Sequence, residues 1–287
     1  MPTLIDLRRR IKSVKNTQQI TKAMKTVSTA KFKKAQRGVV EGRPQWHNAP
    51  GLLAKISRWA GARAHPLFAV REEKKIHVLV ITTDKGLCGS FNSNLLTQTI
   101  DFIRGKGQSS EVALVLIGKK AVHFFRKLPY PVDWAYAEKV DKLGAPELHQ
   151  LAHHLMRRFA FLETDGVYIA YNEFKSVLGP RITIARLLPI TLDSTALEPK
   201  TAPPDWEPTG FAPLQSLVPR YVEDQIGHAF FESQAAEQAA RMMAMDSASQ
   251  NAEEMITDLV LGLNKIRQAG ITKELLEIMT AVEALKQ

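Results

Sequence analysis

Residues 220–287 constrain the fold more than any other part of this chain. The stretch has no proline and only three glycines, Gly227, Gly262 and Gly270. Alanine, Glu, Gln, Met, Leu and Ile dominate it, and these residues fit a helix at little entropic cost. An unbroken helix over this length is roughly 100 Å long at 1.5 Å per residue. Such a helix outgrows any single compact domain, so it needs a partner along its side or a sleeve around it.

The apolar spacing selects the partner. Ile256, Leu259, Leu263 and Ile266 step by 3, 4 and 3, and Ile271, Leu275, Ile278, Val282 and Leu285 by 4, 3, 4 and 3. Both runs are heptad seams. The step of five from Ile266 to Ile271, at Gly270, changes the phase. Upstream the expected seam is small or soft: Ala229, Phe230, Ser233, Ala236, Ala240, Met243 and Ala244. The opposite end of the chain carries a matching stripe through Leu4, Leu7, Ile11, Val14, Gln18, Thr21, Met24, Ser28, Phe32, Ala35 and Val39.

Charge favours pairing these two ends. Eleven Lys or Arg and no acid lie between Arg8 and Val40, whereas Arg220 to Gln287 holds eleven acids and six bases. Unlike charge favours an antiparallel pair and disfavours self-association of the basic arm. The net charge of +10 points to an acidic partner surface.

Between the arms the period changes. Residues 76–82, 112–117, 166–171 and 181–190 read as strands rich in β-branched residues. Residues 95–103, 119–128 and 146–162 read as helices. Strand–helix alternation implies a small, largely parallel sheet with helices on its faces, its last two strands forming an antiparallel hairpin. Gly42, Pro44, Pro50 and Gly51 interrupt the first helix, and a stripe at Leu52, Leu53, Ile56 and Trp59 resumes it as one kinked helix. The fold class is thus α/β: a long antiparallel coiled coil of terminal helices plus a Rossmann-like middle domain. The expected parts are residues 1–60 (N-terminal helix), 76–190 (α/β domain), 191–219 (proline-rich linker) and 220–287 (C-terminal helix).

No apolar run approaches the length of a membrane span, and no signal core opens the chain, so secretion is not expected. The single Cys88 excludes an internal disulfide and a cysteine zinc cluster. A glycine-containing turn, TTDKGLCGSFN at 82–92, follows the first strand and precedes a helix. It matches neither GxxxxGK[ST] nor GxGxxG, and Asp84 places negative charge where a phosphate belongs. His149 and His153 stand one turn apart in a helix beside His154, without the glutamate of HExxH, and read as a solvated face. No acid pair or nucleophile–base set stands out. The basic arm suits nucleic acid in charge but has only Phe32 as an aromatic, so a protein partner is preferred. A nucleic-acid-binding coiled-coil protein and a nucleotide-binding enzyme are the alternatives.

Four stretches carry a resemblance: IKSVKNTQQITKAMKTVSTAKFKKAQ (11–36), TTDKGLCGSFN (82–92), ESQAAEQAARMMAM (232–245) and NKIRQAGITKELLEI (264–278). They resemble the gamma subunits of bacterial F-type ATP synthases. Residues 120–220 share only the layout. The resemblance implies a central rotor shaft with no catalytic site and no cofactor of its own, in a proton- or sodium-translocating complex. Its partners would be the alpha and beta subunits of the hexameric head, the epsilon subunit and the c-subunit ring. It would lie at the cytoplasmic face of the bacterial inner membrane, peripheral and attached only through the complex, with no nucleic-acid partner. Its C-terminal tip would sit in an apolar bearing. Contacts to beta are implied for Met24, Lys25, Arg267, Gln268 and Thr272, with Arg241 matching a further polar position of the motif. The thiol switch of chloroplast gamma subunits is not expected, since no cysteine pair exists.

Overall fold

The computed structural model describes residues 3–59, 65–138, 140–176, 179–191 and 212–284. Five helices and five strands carry it: α1 (Leu4–Trp59), β1 (Lys75–Ile81), α2 (Phe91–Lys106), β2 (Glu111–Ile117), α3 (Lys119–Phe125), β3 (Val132–Tyr136), α4 (Ala145–Ala160), β4 (Gly166–Ser176), β5 (Gly179–Leu188) and α5 (Ala212–Ala284). The chain divides into two compact units. One holds residues 1–29 and 241–287; the other holds residues 30–240.

The larger unit is built on a five-stranded sheet of order β3-β2-β1-β4-β5. The first four strands are parallel and β5 runs antiparallel to β4. β1 is buried on both faces from Ile76 to Ile81, so its sequence KIHVLVI is apolar on both faces apart from the buried His77, rather than alternating. On one face Ile76, Val78 and Val80 pack with Leu95 and Ile103 of α2 and Phe125 of α3. On the other, Leu79 and Ile81 pack with Leu151 and Phe159 of α4, Leu53 and Ile56 of α1, and Leu214, Val218, Val222 and Ile226 of α5. The strand β3 was not expected from the sequence. It lies at the sheet edge between Pro131 and Ala137, is short, and is half-exposed, so its pattern is weak.

Both long helices override their local breakers. α1 runs unbroken through Pro44 and Pro50. Gly42 serves packing: a Cβ there would stand 2.3 Å from the Trp46 indole one turn on. α5 begins at Ala212, eight residues before the expected Arg220, and contains Pro219. An interior proline costs about 3 kcal/mol. The fully buried Leu214, Val218, Val222 and Ile226 offset that cost, at roughly 1.5–3 kcal/mol for each large side chain. The expected linker therefore ends earlier than its prolines suggest; its residues 192–211 lie outside the described residues.

Candidate partner-binding surfaces of the paired helices

In the smaller unit the N-terminal half of α1 lies antiparallel to the C-terminal half of α5. Leu7, Thr21 and Ser28 are buried, and Leu4, Ile11, Val14, Gln18 and Met24 are half-buried. The expected seam on α1 is thus the observed one. On α5 the seam runs through Arg241, Met245, Ser249 and Ala252, all buried, and then the half-buried Ile256, Leu259, Leu263 and Ile266. The expected Met243 is exposed. A stretch with three methionines and one alanine in four consecutive residues, Met242 to Met245, does not distinguish the seam by hydropathy alone.

The middle of this seam is polar. The Ser249 hydroxyl donates to Thr21 Oγ1 at 2.7 Å, and Thr21 Oγ1 donates to the Gln18 carbonyl at 2.9 Å. At the rim, Lys25 Nζ lies 2.6 Å from Asp246 Oδ1, and Gln18 Nε2 donates to Glu253 Oε2 at 3.4 Å. The residue numbers of each cross-helix pair add to 270 or 271. That register sets Leu4 opposite residue 266 or 267.

Beyond that point α5 has no α1 beside it. Residues 271–281 are all exposed. Ile271, Leu275 and Ile278 are 47%, 57% and 61% exposed, and the off-seam Leu276 and Met279 are 61% and 65% exposed. Over Ile271, Leu275 and Ile278 the second heptad run therefore does not continue the intramolecular coiled coil; the Val282 side chain and Leu285 lie outside the described residues. The run is an apolar helix surface without a partner in this chain among the described residues. Its breadth comes from Leu276 and Met279, which a seam-only reading passes over.

The six candidate contact residues fall into two groups. Met24 and Lys25 are half-buried and Arg241 is buried, all within the paired stretch. Lys25 is engaged with Asp246 from the other helix, 221 positions away in sequence and invisible to local pattern. Arg267, Gln268 and Thr272 are exposed, where the pairing ends. About 30 Å of helix separates Asp246 from Arg267. The Thr272 hydroxyl donates to the Gln268 carbonyl at 3.0 Å, which leaves its exposed oxygen as an acceptor beside the exposed side chains of Arg267 and Gln268. Arg8, Arg9, Arg10, Lys12, Lys15 and Lys22 are exposed along α1.

The glycine turn after β1 spends its polar groups internally. Asp84 accepts from the amides of Lys119 at 3.1 Å and Val140 at 2.7 Å. Thr83 exchanges hydrogen bonds with Asn92, and Thr82 Oγ1 binds the Ile117 carbonyl and the Ala121 amide. Gly118 has φ 94°, and a Cβ on it would stand 2.5 Å from the Thr82 carbonyl oxygen. Cys88 is buried. These contacts join β1, β2 and the loop before α4.

A second polar knot anchors β4. Glu232 on α5 is 2% exposed; it accepts from the Phe174 amide at 2.9 Å and from Arg43 Nε at 3.3 Å, with His228 Nε2 at 3.4 Å. Arg43 Nη2 also donates to the Phe174 carbonyl at 2.7 Å. Burial opposes the charge on Glu232, but the hydrogen bonds from His228, Arg43 and Phe174 outweigh it and hold the carboxyl below its ordinary range. Of the three clustered histidines, His154 separates from the others and sits 2.6 Å from Asp133 on β3, which Arg158 also engages.

A basic helix pair with a polar seam, one helix outrunning the other with apolar side chains exposed, and a Rossmann-like unit define a stalk-type subunit of a larger assembly. The comparisons specify it further. A sequence profile described as ATP synthase matches residues 3–285. The ATP synthase gamma chain of Pelotomaculum thermopropionicum is 41% identical over 286 residues, all of both chains. That of Chlorobaculum tepidum is 39% identical over 292 residues, again full length in both. A chain of the Tetrahymena thermophila mitochondrial ATP synthase central stalk and c-ring structure shares the fold at TM-score 0.63 and 24% identity, covering 80% of this chain and 99% of its own. A Euglena gracilis mitochondrial ATP synthase chain does so at TM-score 0.68 and 18% identity, covering 98% and 94%. This chain belongs to the ATP synthase gamma family, and its role is that of a rotor shaft in an F-type ATP synthase. The nucleic-acid alternative finds no support. Among the described residues no helix is long and apolar enough to cross a membrane.

Proposed function

We propose that this chain turns inside the alpha–beta head and transmits torque between that head and the c-ring. Rotation driven by ion flow forces each beta site in turn through its binding states, and ATP forms there rather than on this chain. The observation that carries the reading is the unpartnered end of α5, where the apolar side chains of Ile271, Leu275, Leu276, Ile278 and Met279 are exposed. A shaft end must be held radially yet slide, and apolar contact is non-directional, so it resists tilt without fixing an angle. The paired stretch supplies stiffness. Its seam of Thr21, Ser28 and Ser249 keeps the helices close with small side chains.

The directional contacts belong elsewhere. Arg267, Gln268 and Thr272 contact a beta loop at the end of the pair, and Met24, Lys25 and Arg241 form a second contact lower down. A hydrogen bond from Arg267 to a carboxylate contributes about 1.5–3 kcal/mol, enough to bias one of three beta conformations. The Rossmann-like unit contacts the epsilon subunit and the c-ring. The complex sits at the cytoplasmic face of the bacterial inner membrane, with this chain peripheral, no catalytic centre in it and no cofactor bound to it.

Co-expression with its own alpha and beta subunits tests this. The chain enters one complex with both, and the head rotates during ATP hydrolysis. Deleting residues 271–287 leaves a complex whose shaft is poorly centred and whose torque falls. A chain that never co-purifies with the head, or a deletion without effect on torque, would remove the proposal.

A further inference from the structure

Three side chains in the larger unit have no part in the shaft function. His149 and His153 stand one turn apart on α4, and Glu223 faces them from α5. His149 Nδ1 is 2.9 Å from Glu223 Oε1, His153 Nε2 is 3.9 Å from the same oxygen, and the three atoms lie within 4.8 Å of one another. The two imidazole rings are 4.4 Å apart between centroids. We infer that these residues form a binding site for a divalent transition-metal ion, with Zn²⁺ the best match.

The geometry fits the ion. Four-coordinate Zn²⁺ with bonds of about 2.0–2.1 Å places its donor atoms roughly 3.3 Å apart. The observed 2.9 and 3.9 Å bracket that spacing, so small rotamer shifts close the site. An ion pair alone explains His149 but not His153, whose nitrogen is beyond hydrogen-bond distance from the carboxylate. The donor set is also selective. Imidazole nitrogens suit Zn²⁺, Cu²⁺ and Ni²⁺, whereas Mg²⁺ takes oxygen ligands in an octahedron, so the Mg²⁺ that accompanies ATP does not compete well. His154 is excluded because it is engaged with Asp133.

The fourth position is open. Gly227 lies one turn beyond Glu223 on α5, and nothing stands within 4 Å of where its Cβ would be. With His149, Glu223 and Phe231 it lines a cavity of about 230 Å³. Water from this cavity completes the tetrahedron. The ion ties α4 to α5 within one compact unit and acts as a staple.

Cobalt serves as the reporter, since four-coordinate Co²⁺ absorbs visibly where hydrated Co²⁺ hardly does. The full-length chain, stripped with a chelator, takes up one Co²⁺ with tetrahedral d–d bands, and Zn²⁺ displaces it and raises the Tm. The double change His149→Ala/His153→Ala abolishes the bands, and Glu223→Gln weakens binding at least ~10-fold. His123→Ala, an exposed histidine on α3, leaves them intact. Absence of the bands in the unaltered chain, or their persistence in the double variant, overturns the site.

Discussion

The Ser249 hydroxyl meets Thr21 Oγ1 across the helix pair at 2.7 Å, with both side chains buried. A polar pair in an otherwise soft seam fixes axial register, because a slip by one turn would leave two buried hydroxyls facing apolar neighbours.

Register is directly measurable. With Cys88 replaced by serine, Thr21→Cys and Ser249→Cys cross-link on oxidation, whereas Thr21→Cys and Ile256→Cys, two turns off, do not. The reverse result would place the helices in another register.

Lys25 and Asp246 are 42% and 35% exposed in their side chains, so their pair is screened by water. A double-mutant cycle on the isolated chain gives a coupling of about 0.2–1 kcal/mol. A value well above that range would mean that the pair also organises the buried Arg241 or the polar seam.

Gly118 and Gly105 separate two meanings of glycine. Gly118→Ala costs about 1–3 kcal/mol, since φ 94° disfavours a side chain and the new Cβ meets the Thr82 carbonyl. Gly105 lies inside α2 with open space around it, and Gly105→Ala stabilises by roughly 0.5–1 kcal/mol. Chemical denaturation of the two variants checks both signs.

Glu232 links stability to pH. Its carboxyl is held below the ordinary value of 4.5, so its contribution is full above that value and is lost as pH falls through the lower, folded-state value. Glu232→Gln therefore lowers stability at neutral pH and narrows the gap to the unaltered chain in acid. A gap that stays constant down to pH 3 would refute the assignment.

Arg267→Leu/Gln268→Leu tests the contact at the end of the pair. Both side chains are exposed, so folding and assembly stay intact. Coupled turnover falls, by up to about tenfold for the loss of one charge-assisted bond worth ~1.5 kcal/mol. Unchanged rotation and ion pumping in the assembled complex would reduce the two residues to solvated helix surface.

The sequence carried the seam of α1 well, because a spacing of 3 and 4 sustained from Leu4 to Val39 has few other readings. It carried β1 and β2 through their short runs of mostly β-branched and aliphatic residues, Val78–Ile81 and Val112–Ile117. It misled where tertiary packing outweighs a local rule. Pro219 reads as a linker residue, yet the core that holds Val218 and Val222 draws it into α5. The polar knots were out of reach for another reason. Arg43 and Glu232 are 189 positions apart, as Lys25 and Asp246 are 221, and each partner looks like any other charge on a helix. His149 and His153 were visible as a pair; Glu223, which gives them a use, sits on another helix.

The end of α5 has a consequence for where order resides. About four turns of lone helix are marginal in water, while the stretch before them is braced by α1. Backbone amides of residues 271–284 would therefore exchange with solvent quickly in the free chain and slowly once a housing closes around them. Assembly would then include a local coil-to-helix transition, and the final turns would inherit their rigidity from the stator they rotate against.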